Sequence, residues 1–155
     1  MVPLRPQHAD RVFVVGERYP LVVHEDRSAV SHRHFFACVR EAFTNLSDGI
    51  ATEFATPDHL RKRALVETGH YTERRLVASS PAEARKVAAF IRAGDDYAVV
   101  SVAGSIVVER KAKSQSHQAM PKGEFQKSKT DVLDYLSSLI GVTPETLNAN
   151  AERAA

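Results

Sequence analysis

Two segments of the chain share one pattern: a hydroxyl residue followed by proline at the start, and a glycine at the end. They are TPDHLRKRALVETG and SPAEARKVAAFIRAG, which begin at Thr56 and Ser80. A hydroxyl side chain caps the first N–H groups of a helix, proline fits the first turn because it has no N–H to pair, and glycine ends the helix. The sequence therefore predicts two helices, with ERRLVAS between them as a strand.

Three further stretches have the composition of strands. β-branched runs at 11–15 and 20–25 are separated by Gly16 and Pro20, which indicates a hairpin or two neighbouring strands. DYAVVSVAGSIVVERKAK predicts two strands joined at Ala103-Gly104. We expect these strands to form a mainly antiparallel sheet.

Apolar residues three and four positions apart predict two more helices. One starts near Ser31, with Ser28 or Ser31 as its N-cap, and the other runs from Pro121 to Ile140 and ends at Gly141. The predicted inward-facing residues are Phe36, Val39, Phe43 and Leu46 in the first of these helices, and Val87, Phe90 and Ile91 in the helix after Ser80. TPETLNANAERAA predicts a last, frayed helix.

The resulting order of elements is ββααβαββαα, which predicts an α+β fold: a small, mainly antiparallel sheet with helices packed on it. A chain of 155 residues, of which 43% are hydrophobic, is typical of one domain with a buried core. We expect that domain to span residues 1–142 and a short C-terminal helix or frayed tail to follow at 143–155.

Composition also limits where the protein works. Its one cysteine, Cys38, excludes an internal disulfide and is typical of a reducing cytoplasm. The start MVPLRPQHAD lacks the apolar segment of a signal peptide, and the most apolar stretch, YAVVSVAGSIVV, falls short of the ~20 residues that span a bilayer. The sequence therefore predicts a cytoplasmic protein without a membrane segment.

The histidines and the cysteine do not form a recognisable catalytic or metal-binding motif. His32 and His34 are two residues apart and point to different sides of a helix, whereas His34 and Cys38 have helical spacing but no second ligand pair follows. The sequence also has no glycine-rich phosphate loop and no nucleophile motif. We therefore expect no enzyme activity, no metal and no cofactor, and we expect Cys38 in the core. A nuclease or other metal enzyme is the least favoured alternative.

Basic residues occur in three groups, and this clustering favours a polyanionic partner more than the net charge of +2 does. The groups are Arg27, His32, Arg33 and Arg40; Arg61, Lys62 and Arg63; and Arg110, Lys111, Lys113, His117 and Lys122. Lysines on a strand, followed by polar SQSHQ and a helix start, can contact phosphates without distinguishing bases. Phe35, Tyr71 and Tyr97 are candidates for stacking on bases if they are exposed. Alternatively, these cations lie on solvated helix faces and are balanced by glutamates.

Two separated stretches carry a resemblance to a known family. VVHEDRSAVSHRHFFACV resembles a segment of the NinB/Orf family of phage recombination proteins, and SHQAMPKGEFQKSKTDVLDYLSSLIGV resembles that family's second motif. The matching positions are Arg27, Ser28, His32, Arg33, Phe36, Ala37 and Cys38 in the first, and Ser116, Met120, Glu124 and Phe125 in the second. The chain departs from the family pattern at Ser31 and His32, where the family tends to have Gln and Asn.

The resemblance implies a small α+β protein, often dimeric, that binds single-stranded DNA and assists the exchange of single-strand-binding protein for a recombinase. SQSHQAMPKGEF also resembles a second, poorly characterised group of phage proteins, for which no activity is implied. The expected setting is the cytoplasm of a bacterial host that carries a phage or prophage, and the expected partners are single-stranded DNA, a host single-strand-binding protein or recombinase, and a second copy of the chain.

Residues and resemblance together predict a non-catalytic accessory protein of recombination that binds single-stranded DNA without sequence preference. The predicted contact residues are Arg27, His32, Arg33, Arg40, Arg61, Arg63, Lys111, Lys113, Ser116, His117 and Lys122. The alternative is a phage protein-protein interaction module that modulates a host factor without binding nucleic acid. The two hypotheses differ in whether the basic groups converge on one surface.

Overall fold

The computed structural model describes residues 29–116 and 118–154. Within these ranges the chain forms six helices and one three-stranded antiparallel sheet, so the predicted α+β class is confirmed. In chain order the elements are α1 (Ala29–Thr44), α2 (Asp48–Ala51), α3 (Pro57–Glu67), β1 (Tyr71–Val77), α4 (Pro81–Gly94), β2 (Val99–Ala103), β3 (Ile106–Ala112), α5 (Lys122–Leu139) and α6 (Pro144–Ala154). The strands predicted at 11–15 and 20–25, and the predicted cap Ser28, lie outside the described residues.

Helix caps form where the hydroxyl-proline pattern predicts them. Thr56 Oγ1 accepts a hydrogen bond from the His59 backbone N at 3.1 Å at the start of α3, and Ser80 Oγ accepts one from the Glu83 backbone N at 3.2 Å at the start of α4. Gly69, just beyond α3, has a φ of 89°, a left-handed conformation that side chains with a Cβ rarely adopt. Local chemistry thus fixes both ends of α3 and the start of α4.

The strand order is β1-β3-β2, with both pairings antiparallel. Gly104, at φ 59°, turns the chain between β2 and β3, as predicted. α4 covers one face of the sheet, where Ala84 and Ala88 pack on Val100 and Val107. Helix and sheet together form a small apolar cluster, the sheet core.

A second and larger cluster, the helical core, lies among the helices. α1 packs against α3, α5 and α6. The large side chains that are fully buried in the helical core include Phe35, Leu60, Leu65, Val132, Leu136 and Leu147. Leu147 and Ala151 belong to α6, so the apolar side of this last helix is covered by the rest of the same chain.

The structure changes three details of the helix predictions. Of the predicted inward-facing residues of the first helix, Val39 is buried, and Phe36, Phe43 and Leu46 are partly buried against the helical core. Phe35 and Ala42 are fully buried although they were not in the predicted stripe, because helices pack on several sides of α1. Phe90 of α4 is 82% exposed, since α4 meets the sheet through alanines. Ser31 lies inside α1 and does not cap it.

Within the described ranges, no helix is long and apolar enough to cross a bilayer.

Candidate nucleic-acid interface

The solvent-facing side of α1 presents two arginines around an aromatic ring. Arg33 and Arg40 are exposed, and Phe36, one turn from each, is half-buried. In residues 29–116 and 118–154, no acidic side chain forms an ion pair with either arginine. Their charge is therefore available to a ligand, because no carboxylate of the described chain neutralises it.

Two hollows flank this side of α1. One of about 740 Å³ lies between α1 and α6 and is lined by Val30, His32, Arg33, His34, Phe36, Ala37, Arg40, Glu152 and Ala154. The other, of about 400 Å³, lies between α1 and α3 and is lined by Phe36, Val39, Arg40, Thr56, Pro57, Asp58, Arg61 and Tyr97. Phe36 and Arg40 line both hollows, so the two form one continuous surface across α1.

α3 contributes Arg61 to the lining of the second hollow and places Lys62 beside it, against Tyr97. The Arg61 guanidinium lies 5.5 Å from the ring centre of Phe36, and Lys62 Nζ lies 3.6 Å from the ring centre of Tyr97. Asp58 binds both: Arg61 Nη2 donates to its Oδ1 at 2.6 Å, and Lys62 Nζ is 3.4 Å from its Oδ2. Partial burial would raise the pKa of Asp58, but the hydrogen bond and charge of Arg61 outweigh burial and hold that pKa below 3.8.

Arg61 also connects the hollow to the segment before α5. Its Nη1 donates to Gln115 Oε1 at 2.6 Å, and Gln115 Nε2 donates to Ser128 Oγ at 2.9 Å. The Arg61 side chain is consequently 12% exposed. Arg61 is held in place by both contacts, whereas Arg33 and Arg40 are exposed and form no ion pair with the described residues.

Aromatic rings lie along the same surface. Tyr97 is 37% exposed, and its ring meets that of His59 edge-on at 5.6 Å between centres. His32 stacks on Phe125 at 5.7 Å and touches Phe36 edge-on at 4.9 Å. An exposed ring beside a cation can stack on a nucleic-acid base.

The other two stacking candidates are placed differently. Phe35 is 0% exposed, so it does not meet the condition of exposure and is not available to stack on a base. Tyr71 is covered on one side by Arg110, whose guanidinium lies 5.0 Å from its ring centre. Tyr97 is thus the exposed ring among the three.

Three basic residues on β3 and directly after it, Arg110, Lys111 and Lys113, are bound by carboxylates. Lys111 Nζ is 2.8 Å from Asp95 Oδ2, and Lys113 Nζ is 2.7 Å from Glu124 Oε1. The hydrogen bond to Asp95 is the main reason that the pKa of Lys111 is raised above 10.5. A strand whose lysines are paired in this way offers less positive charge to phosphates than its composition indicates.

The predicted contact residues therefore separate into groups. His32, Arg33, Arg40 and Arg61 come together around Phe36. Arg63 pairs with Glu67 at 2.8 Å on the side of α3 near Tyr135. Lys111 and Lys113 lie at the end of β3; Ser116, whose Oγ accepts from the Ala119 backbone N, and Lys122 lie before and at the start of α5. Arg27 and His117 are outside the described residues. Phe36 and Lys62 belong to the surface around α1 and α3, but they were absent from the contact residues predicted from the sequence.

His34 and Cys38 meet a third polar group from α6. Asn148 Oδ1 is 3.0 Å from His34 Nε2 and 3.3 Å from Cys38 Sγ. Burial, followed by the charge of Glu152, raises the pKa of the Cys38 thiol to about 11, so the thiol is protonated at neutral pH. Cys38 is 0% exposed, which confirms its predicted place in the core. Within the described ranges, no group of three or more His, Cys, Asp or Glu side chains is placed to hold a metal ion.

In comparisons with known proteins, no family model, no curated protein and no solved structure matches this chain.

Proposed function

We propose that the protein binds single-stranded DNA, without sequence preference and without catalysis, on the surface formed by α1 and α3. This α1–α3 face consists of Arg33, Phe36, Arg40, Arg61, Lys62 and Tyr97. The observation that carries the proposal is the pair of exposed arginines, Arg33 and Arg40, which flank Phe36 and form no ion pair in the described part of the chain.

Each component suits a flexible, unpaired strand. Arginines without a carboxylate partner bind phosphate oxygens with strong, charge-assisted hydrogen bonds. Phe36 and Tyr97 supply flat apolar surface for bases, and every base has a face that stacks regardless of its sequence. Cations alternating with rings would therefore favour a strand whose bases are unstacked and accessible over a closed duplex.

The cellular role rests on the resemblance to phage recombination proteins. It supports a phage or prophage protein that acts as an accessory to recombination in the bacterial cytoplasm, beside a host single-strand-binding protein or recombinase. The α1–α3 face is a binding surface, and the proposal assigns no bond-breaking step to it.

Fluorescence anisotropy with a labelled oligonucleotide tests the proposal. Arg33→Ala combined with Arg40→Ala should weaken binding equally for all DNA sequences. The variant should also reduce the steepness of the plot of log K against log[salt] by about 1.4, because each of the two lost phosphate contacts on a single strand contributes about 0.7. Arg85→Ala combined with Lys86→Ala is the control: it removes two exposed cations of α4 and should leave affinity nearly unchanged. Absence of binding by the wild-type chain at low salt overturns the proposal.

Lys111→Ala combined with Lys113→Ala locates the boundary of the site in the same assay. Because both lysines bind carboxylates, we expect a smaller loss of affinity than for the Arg33 and Arg40 variant. An equal or larger loss would extend the site onto β3 and would favour the distribution predicted from the sequence.

A protein-interaction module remains the second candidate, and one observation favours it. Large apolar side chains are exposed on β1 and α4, among them Leu76, Val77 and Phe90. Retention of a host protein, with no affinity for DNA, would select this alternative.

A further inference from the structure

Tyr97 belongs to a short turn between α4 and β2. In this turn Ala98 N donates to Asp95 O at 3.2 Å, and Tyr97 N donates to the Asp95 side chain, at Oδ1, at 3.0 Å. An aspartate side chain that accepts from the backbone two residues further on stabilises a turn. Asp95 therefore fixes the backbone from which the Tyr97 ring projects.

The sheet holds Asp95 in turn. The second carboxylate oxygen of Asp95, Oδ2, lies 2.8 Å from Lys111 Nζ on β3. The hydrogen bond from Lys111 is the main reason that the pKa of Asp95 lies below 3.8, so this carboxylate is ionised at neutral pH. Lys111 Nζ also lies 3.4 Å from Oε1 of the buried Glu109. These contacts connect the turn to the middle strand of the sheet.

The Tyr97 ring reaches across to α3. Lys62 Nζ lies 3.6 Å from the ring centre, and the His59 ring meets Tyr97 edge-on with 5.6 Å between the centres. The ring remains 37% exposed and lines the hollow between α1 and α3 together with Phe36. A loop of the sheet region thus supplies one of the two rings of the α1–α3 face.

We propose that Lys111 and Asp95 are positioning residues for DNA binding: Lys111 holds Asp95, and Asp95 holds the turn that presents the Tyr97 ring to an unpaired base. This inference rests on the proposed function, because it concerns the same face. Lys111 then affects affinity through two side-chain contacts and not through a phosphate. The physical basis is that a ring already held in place loses less conformational entropy on binding than a mobile one.

Removal of the Asp95 carboxylate distinguishes positioning from electrostatics, because the two effects have opposite signs. Loss of a negative charge beside a DNA-binding surface strengthens binding when charge alone matters, since phosphates are repelled less and Lys111 is released. Loss of a positioning residue weakens binding. Asp96, the next residue, is exposed and takes no part in the contacts that join Lys111, Asp95 and Tyr97, so it provides a control of the same charge in the same turn.

Fluorescence anisotropy with a labelled single-stranded oligonucleotide measures these effects. Tyr97→Ala should weaken binding about tenfold, which is typical of losing one base–aromatic stack, whereas Tyr97→Phe keeps the ring and should bind like wild type. Asp95→Ala should weaken binding about threefold to tenfold, because ordering one side chain on binding costs that much affinity. Asp96→Ala should leave affinity unchanged or raise it slightly.

Lys111 variants separate positioning from phosphate binding. Lys111→Ala should weaken binding by about the same factor as Asp95→Ala without changing the salt dependence, whereas loss of a phosphate contact would lower the steepness of log K against log[salt] by about 0.7. Lys111→Arg keeps a cation for Asp95 and should retain most of the affinity. In a Tyr97→Ala chain, neither Asp95→Ala nor Lys111→Ala should weaken binding further, because the ring that they hold is gone.

The outcomes separate this proposal from the proposed function. Losses with Asp95→Ala and Lys111→Ala that vanish in the Tyr97→Ala chain support the positioning role. Unchanged or tighter binding by Asp95→Ala, or losses that persist without the Tyr97 ring, overturn it, while a wild-type affinity that depends on Arg33 and Arg40 leaves the α1–α3 face in place. A wild-type chain that does not bind at low salt overturns both proposals.

Discussion

The helical core and the sheet core both bury apolar surface, but they are built from different side chains. Four helices interlock through large residues such as Phe35, Leu60 and Leu136, all 0% exposed. The sheet and α4 meet through alanines and valines, and leave Phe90 outside. Burial of apolar area is the main source of stability, so most of the folding free energy should reside among the helices.

The two regions also differ in what they expose. α1 presents arginines without an ionic partner in the described ranges, whereas the cations of β3 are bound by carboxylates, and β1 and α4 expose large apolar side chains such as Val77 and Phe90. The first surface suits a polyanion and the second suits another folded chain. A small protein can carry two binding surfaces when each region leaves a different kind of group unsatisfied.

Replacing a phenylalanine by alanine should destabilise the protein much more in the helical core than beside the sheet, and this is the largest effect that we expect. Phe35→Ala should lower the free energy of unfolding by about 3–5 kcal/mol, because it leaves a cavity among the helices. Phe90→Ala should change it by about 0.5 kcal/mol or less in the monomer, since that ring is 82% exposed. Urea unfolding measures both, and similar losses would mean that the two cores do not differ as described.

Glu109→Gln examines the sheet region alone. This carboxylate is 2% exposed and is bound by Arg74 and Lys111. We expect a loss of about 1 kcal/mol, because both cations are largely exposed and can be hydrated once the charge is removed. Glu53→Gln, at an exposed position outside the sheet, is the control. A loss as large as that of Phe35→Ala would make the sheet, rather than the helices, the more stable region.

Replacing Lys129, which lies in the helical region, should have the smallest effect on stability, and this effect should depend on pH. It is 8% exposed and its Nζ binds Ser31 Oγ, and burial lowers its pKa below 10.5. Between that lowered pKa and 10.5 the unfolded chain binds more protons than the folded chain, so stability from this group should rise with pH over this window. Lys129→Met should remove the rise, and Lys127→Met, at an exposed site, should retain it. Thermal melts across alkaline pH measure the difference.

Local signals predicted the helix ends, and longer-range contacts decided the rest. Thr56, Ser80 and Gly69 act on backbone groups a few residues away, so sequence was sufficient to place them. Burial of Phe35 rather than Phe36 depends on which helices surround α1, and two adjacent aromatic residues do not reveal that. The exposure of Phe90 likewise depends on how α4 lies over the sheet.

The candidate site was predictable in composition but less so in position. Arg33 and Arg40 were identified as basic residues of α1, and the sequence alone could not show that they lack ionic partners in the described ranges. Pairing of Lys111 with Asp95 joins residues on different elements, as does the approach of Lys62 to Tyr97. Tertiary structure, not residue type, thus determines which cations remain available.

Cys38 has a practical consequence for experiments on the α1–α3 face. Its thiol is enclosed by α1 and α6, shares the Asn148 oxygen with His34, and has a pKa of about 11. Thiolate is the form that reacts with maleimides and iodoacetamides, so the native sulfur should stay silent toward these reagents at neutral pH. A cysteine introduced on α1 would then carry the chain's single probe, and its distance to a label on a bound oligonucleotide could be measured.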